Sequence, residues 1–474
     1  METLQRTANR GSISTGFDID NSVKVENDNR EYFRWTNFSN YASSARKKKF
    51  SMSVWVKRAE LGRQQVIWST ANNGYLSFQA DDVIKWQQTY SGVQKTLNTN
   101  RVFRDTGAWY HIVLQVDTAQ STEADRTKLY INGEQITDFS SATYPSQNDE
   151  AQNIYEQHLI LGEWGGGSTG FSGYIAEYYF LSEVALVPSD VGETDEDTGI
   201  WKPKAYGGTI TSPSQFLEFQ DSSDLGTATS GLDADYLNNI TAADQSVDSP
   251  TNNFATINIL HAQTSNSTYT EGATYAVNGQ IQGWQPYIPT IAVTSGKWYF
   301  ETQGGGPDMY LQTGMGDEGD LLEWGIDQKY YGRSGSKSVA YYGGTGGNGL
   351  IYPAQTNPSP AVDYGSSDII GCAVDIDNGY VYWHKNGTYI NGGVPTSGAT
   401  GTGGTAIPTG GNSNGTYYLG AATYANSNMK FNYGGYTTIS ISSGASDSNN
   451  YGVFEYAPPT GYYALCTKNL AEYG

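Results

Sequence analysis

Apolar and polar side chains alternate with a period of two through much of this chain. In FSMSVWVKR (50–58), Phe50, Met52, Val54 and Val56 fall on one face, and Ser51, Ser53, Trp55 and Lys57 on the other. That is the pattern of a strand with one face turned to a core. WYHIVLQVD (109–117) repeats it with Tyr110, Ile112, Leu114 and Val116. KLYINGEQI (128–136) then carries Asn132 and Gly133, a pair that accepts positive φ at little cost and so predicts a two-residue hairpin turn. LILGEW (159–164) and GYIAEYYFL (173–181) add two more strands. A second series runs through KWYFETQ (297–303), IIGCAVDID (369–377), GYVYWHKNG (379–387), YYLGAA (417–422), MKFNYGG (429–435) and YYALC (462–466). There Val381 and Trp383 share one face, expected to be core, while Tyr380, Tyr382 and His384 share the other. The turns at Asp377–Gly379 and Asn386–Gly387 bound that strand, so the Asn-Gly device occurs twice. No long stretch has a helical period. The expected fold is all-β: two antiparallel, jelly-roll-like sandwiches over 1–200 and 291–474, joined by a polar, irregular connector over 201–290 with isolated strand pieces such as FLEFQ.

Composition sharpens this picture. A chain of 474 residues is too long for one ordinary core. Its 57 glycines and 13% aromatics suit turns and sheet faces, and its 16% charged residues do not suit a charged helical protein. A net charge of -21 argues against non-specific contact with nucleic acid or with an anionic membrane. The basic run Arg46–Lys49 reads as a solvent-exposed strand entrance. No apolar run is long enough to span a bilayer, and no apolar signal segment opens the chain, so a soluble protein without a secretory signal is expected. Cys372 and Cys466 read as buried free thiols, with a bridge between adjacent strands as the alternative. Gly/Ser/Thr loops at 343–349, 392–415 and 441–449 are places where recognition can vary without disturbing a sheet.

With these residues in view, the first domain resembles laminin-G-like, concanavalin A-like modules. The resemblance lies in SVKVENDNREYFRW (22–35), FSMSVWVKR, WYHIVLQVD, KLYINGEQI and LGEWGGGSTGFSGYIAEYYFLSEVAL (161–186). The second resembles the SPRY sandwich through SGKWYFET (295–302), DIIGCAVDIDNGYVYWHKNG (368–387), MKFNYGG and FEYAPPTGYYALC (454–466). The segment from Gly173 to Gly208 and DSPTNNFATIN (248–258) are similar to proteins of tailed, especially marine, bacteriophages. This implies a virion protein on the exterior of the particle, present in several copies and contacting other virion proteins. Two roles stay open: a tail- or fibre-associated adhesin for a host-surface glycan or protein, and a capsid or tail decoration protein.

Concanavalin A-like folds also include glycoside hydrolases, which need two facing carboxylates. The acidic run Glu193–Asp197 reads as a solvated turn, Asp375 and Asp377 as turn formers, and Glu177 has no partner at catalytic spacing. His111, His158, His261 and His384 are scattered, and neither a GxSxG elbow nor a phosphate-binding glycine loop is present. A non-catalytic protein is therefore expected, with glycoside hydrolysis the less favoured alternative. The laminin-G resemblance implies calcium at a loop edge, for which Asp117 and Asp125 are the candidates. With 37 tyrosines and 11 tryptophans, rings exceed what cores require. Rings beside amides suit sugar faces, and Trp164, Trp284, Tyr341 and Tyr342 are the candidate ligand-binding residues.

Overall fold

The computed structural model describes residues 16–36, 41–70, 74–152, 154, 159–164, 169–196, 198–261, 267–280, 282–307, 309–322, 330–344, 348–359, 362–409 and 414–474. His158, Asp197 and parts of the glycine-rich loops (345–347 and 410–413) lie outside them. Described residues up to Asn252 form one compact unit and those from Asn253 onward form another.

In the first unit a nine-stranded sheet runs Glu134–Gln135, Thr127–Ile131, Trp109–Asp117, Lys49–Arg58, Gly173–Ser182, Ser22–Val25, Gln245–Ser246, with Gln215–Leu217 and Ser230–Gly231 paired beyond Gly173–Ser182. An eight-stranded sheet packs on it, in the order Phe139–Thr143, Val93–Val102, Val83–Tyr90, Gly74–Phe78, Gln65–Thr70, Leu159–Leu161, Tyr32–Trp35, Tyr236–Asn238. The expected faces hold: Phe50, Met52, Val54, Val56, Ile112, Leu114 and Val116 meet Trp68, Leu76, Phe78, Trp86 and Leu97 in one core. The opposite face is covered as well. Ser51, Ser53, Trp55 and Lys57 are buried, because a second apolar cluster of Tyr179, Leu181, Leu186 and Val191 builds over that side of the sheet.

The second unit has a nine-stranded sheet built on Asn428–Asn432, Lys297–Gly305, Ile370–Asp375 and Tyr380–Lys385. Its five-stranded partner runs Trp284–Tyr287, Tyr417–Tyr424, Tyr310–Asp317, Ser338–Gly343, Leu350–Tyr352. Trp383 is 1% exposed and reaches across from one sheet to the other, donating Nε1–H to the Thr313 carbonyl at 3.0 Å. It is a core residue, as the alternation with Val381 requires.

The connecting stretch 201–290 carries isolated short strands, as expected, and they pair into the sheets of both units. Gln215–Leu217, Ser230–Gly231, Tyr236–Asn238 and Gln245–Ser246 complete the sheets of the first unit, while Thr268–Thr270, Tyr275–Val277 and Trp284–Tyr287 belong to the second. Strands of two to four residues are too short to show alternation, so their pairing is invisible in sequence. One expectation needs correction: the basic run does not simply enter a strand. Arg46–Lys48 end a short helix, Ser44–Lys48, capped by the Ser43 side chain.

The Asn-Gly device is one construction used twice. Asn132 and Gly133 have φ of 49° and 82°, Asn386 and Gly387 of 50° and 83°. The Asn132 side-chain oxygen accepts the His111 N–H at 2.8 Å, and that of Asn386 accepts the Ile369 N–H at 2.8 Å. In both, the asparagine N–H returns to the same residue's carbonyl at 2.9 Å. Each glycine also makes room for a ring: an added Cβ would lie 2.5 Å from Trp201 at Gly133 and 2.8 Å from Tyr456 at Gly387. The device ties a hairpin to its neighbouring strand and leaves space for an aromatic lid.

Candidate functional site

Strand Tyr310–Asp317 shows how the site arises. Leu311, Thr313 and Met315 turn inward, and Thr313 meets Thr302 of the opposing sheet at 2.6 Å between hydroxyl oxygens. Tyr310, Gln312, Gly314 and Gly316 must then line the outer face. Register brings Tyr310 opposite Tyr424, Tyr424 opposite Trp284, and Gln312 opposite Tyr342. At one end of this face, Ile288, Leu321, Tyr331 and Tyr418 close over Ala340 and Ala422 as an apolar plug. The packing there needs small residues, since a Cβ on Gly420 would lie 2.4 Å from the Tyr331 hydroxyl oxygen.

The other end remains a rim of rings. Trp284 lies 5.1 Å from Tyr330, 5.5 Å from Tyr342 and 5.6 Å from Tyr424, centroid to centroid. Tyr310 continues the rim 5.4 Å from Tyr424, and Tyr352 lies 5.2 Å from Tyr342. Trp284, Tyr310, Tyr330, Tyr352 and Tyr424 are half-buried. Burial raises the phenols of Tyr342 and Tyr352 above their ordinary value, so both are neutral hydroxyls over the physiological range.

Gln312 lies between plug and rim. It is fully buried, and neither its amide oxygen nor its nitrogen has a hydrogen-bond partner among the described residues. Leaving a buried amide unpaired costs about 1–3 kcal/mol, so such a group calls for an explanation. The half-buried rings of the rim form a surface suited to stacking against the C–H face of a polyhydroxylated ring.

Of the residues singled out in sequence, the structure brings Trp284 and Tyr342 together here. Tyr341 is corrected. Neighbours in a strand face opposite ways, and Tyr341 turns inward, packing 4.8 Å from Tyr364 and 6.2 Å from Trp383 with its hydroxyl donating to the Val362 carbonyl. Trp164 lies in the other unit, half-buried against Tyr75 at 5.3 Å, where the Lys85 ammonium stands 5.7 Å over the Tyr75 ring. Asp117 is held by Lys49 at 3.2 Å and Gln120 at 2.9 Å, and Asp125 by Lys128 at 3.0 Å. Among the described residues no three His, Cys, Asp or Glu side chains gather in the manner of a metal site. Sequence reading missed Tyr310, Tyr330, Tyr352, Tyr424 and Gln312. The alternation of Tyr310 with Gln312 was a usable signal; the rest needed the register of four strands.

The other titratable groups considered for chemistry are engaged structurally. Asp375 accepts from Asn378 and pairs with Lys297 at 3.0 Å, and Asp377 accepts the Gly296 N–H at 2.8 Å. His111 accepts the Trp201 N–H at Nδ1 (2.9 Å), which leaves Nε2–H to donate to the Ser53 hydroxyl at 2.8 Å. His384 accepts the Gly387 N–H at Nδ1, leaving Nε2–H for the Tyr299 hydroxyl oxygen at 2.7 Å. Burial lowers the imidazoles to about 3 and about 4, so both are neutral. Cys372 and Cys466 are buried free thiols.

No curated protein matches the chain. Among solved structures, a Bacteroides ovatus protein assigned to carbohydrate binding is 13% identical with a TM-score of 0.27, over 40% of this chain and 63% of that one. The SPRY domain of human HERC1 is 12% identical with a TM-score of 0.25, over 35% of this chain and 93% of that one. A Ruminococcus gnavus sialidase carbohydrate-binding module, solved with α2,3-sialyllactose, is 14% identical with a TM-score of 0.25, over 35% and 91%. Likeness at this level carries no argument about a ligand. Residues 27–192 match a laminin-G family model described as the concanavalin A-like lectin/glucanases superfamily.

Proposed function

We propose that this protein is a non-catalytic glycan-binding component, and that the ring rim of its second unit is the recognition surface. The observation that carries this reading is the rim of half-buried rings, Trp284, Tyr310, Tyr330, Tyr352 and Tyr424, packed edge and face around Tyr342. A sugar stacked on the rim would offer its C–H faces to the rings. Together with the resemblance to tailed-phage proteins, this supports a tail- or fibre-associated adhesin on the outside of a virion. Shallow aromatic contacts are individually weak, and many copies on one particle would raise avidity.

The test has two arms. An array of soluble host-surface oligosaccharides should bind the purified protein saturably without being shortened. Free protein should compete with labelled particles for adsorption to host cells. Binding to no glycan would remove the recognition role. Glycan binding without any effect on adsorption would leave a lectin and remove the adhesin.

A further inference from the structure

The first unit holds a second cavity of different chemistry. Strand Gly173–Ser182 contains a bulge: its register against Lys49–Arg58 jumps between Ala176, opposite Trp55, and Tyr179, opposite Ser53. Within the bulge Glu177 has φ of 48°, a region costly for a residue with a side chain and found most often where a strand is re-aimed for function. The bulge buries the Glu177 carboxyl, 4% exposed, where it accepts the Tyr179 hydroxyl at 2.9 Å. Tyr179 stacks on Phe216 at 4.1 Å and 6° between planes, and Tyr206 stands edge-on to it at 6.0 Å. Tyr179, Tyr206, Phe216, Phe17, Ile210 and Glu218 border a cavity of about 390 Å³, within the small-molecule range.

Its chemistry is one-sided. The described lining supplies four aromatic rings and the Glu218 carboxylate and contains no basic side chain. Burial and the nearby Glu218 together raise the Glu177 carboxyl to about 8, with the Tyr179 hydroxyl bond opposing them. Two acids flank Tyr179, and no cation is among the groups acting on Glu177. A ring face attracts a cation through its quadrupole, most strongly where water is excluded.

We propose that this cavity binds a small organic cation of the alkylated ammonium class, held by the faces of Tyr206 and Phe216 and neutralised by Glu218. Choline is the probe. Titration of the full chain with choline chloride at low salt, followed by calorimetry or by NMR of tyrosine and phenylalanine side chains, should saturate. The uncharged dimethylbutanol isostere, of the same shape, should bind about tenfold more weakly or not at all. Glu218→Gln, at a half-exposed position where folding tolerates the change, should weaken choline about tenfold. Phe216→Ala should do at least as much. Equal affinity for choline and its isostere would make the cavity merely apolar and overturn the proposal. So would full choline binding in Glu218→Gln, or a titration that never saturates. Neither probe is a sugar and the cavity belongs to the other unit, so the outcome is independent of the glycan reading.

Discussion

The two units treat buried carboxylates in opposite ways. In the first, four of them are matched with buried cations, while Glu177 is held by a tyrosine hydroxyl. Lys57 Nζ meets Asp248 at 2.7 Å with both side chains 1% exposed, Arg58 meets Asp82 at 3.0 Å, and Lys24 meets Glu31 at 3.1 Å and Asp244 at 2.9 Å. In the second, the buried acids are satisfied largely by N–H and O–H donors. Glu301 accepts from the Glu455 and Tyr456 amides, Asn432 and Tyr299. Asp317 accepts the Asn414 and Gly415 amides, and Asp447 those of Tyr451 and Ala464 with the Asn469 side chain. An ion pair joins strands far apart in sequence. A carboxylate on backbone amides pins the base of a loop. The second unit thereby fixes serine-rich segments such as 441–449 at one end, and acids used in this way need no lysine or arginine. That fits a chain with 48 acidic and 27 basic residues.

The largest effect that could break this comparison lies at Asp248. Asp248→Ala leaves the buried Lys57 ammonium without its partner and should cost about 3–5 kcal/mol in chemical denaturation of the first unit. Combining it with Lys57→Met should restore most of the loss, whereas equal instability in single and double variants would show that the Asp248 carboxylate acts through Trp109 instead. In the second unit the matching loss comes from packing: Trp383→Ala should cost about 3–5 kcal/mol. Glu301→Gln keeps an acceptor but sets an amide N–H against backbone N–H donors. A loss of about 1–3 kcal/mol is expected, with faster hydrogen exchange at Glu455 and Tyr456.

Dependence on pH is smaller and runs in two directions. Glu177 keeps its proton up to about 8 when folded but releases it near 4.5 when unfolded. The native state therefore binds the extra proton between those values, and stability falls as pH rises through them. Glu31, raised to about 7 chiefly by burial, adds to the fall over the lower part of the window. Glu177→Gln should flatten that decline. His111 and His384 act on the acid side: unfolded imidazoles take a proton near 6.5, the folded ones only near 3 and 4, so stability drops as pH falls below 6.5. NMR titration should find both imidazoles neutral at pH 5.5, about one unit below the ordinary histidine value.

Much of this was legible in the sequence, for a physical reason. Long strands with one face in a core must alternate, so the frames at 50–58 and 109–117 and the inward turn of Trp383 could be read directly. Both Asn-Gly turns followed from φ preference alone. The short strands between 201 and 290 carried too few residues to alternate. Tyr341 and Tyr342 had to face opposite ways, but only pairing with Tyr310–Asp317 decides which turns outward. The rim needed Trp284, Tyr310, Tyr342 and Tyr424 in register from four separated strands, and the unpaired state of Gln312 is a property of packing.

The most direct test of the recognition surface sets the two units against each other. Calorimetric titration of the best oligosaccharide from the array would be run on the wild-type protein, Trp284→Ala and Trp164→Ala, each checked for native circular dichroism. Loss of a central aromatic anchor costs about 2 kcal/mol or more, which is at least a tenfold weakening. Trp284→Ala should show that loss, while Trp164→Ala should bind as the wild type does. Wild-type affinity in Trp284→Ala, with binding abolished in Trp164→Ala, would contradict the account and move recognition to the first unit.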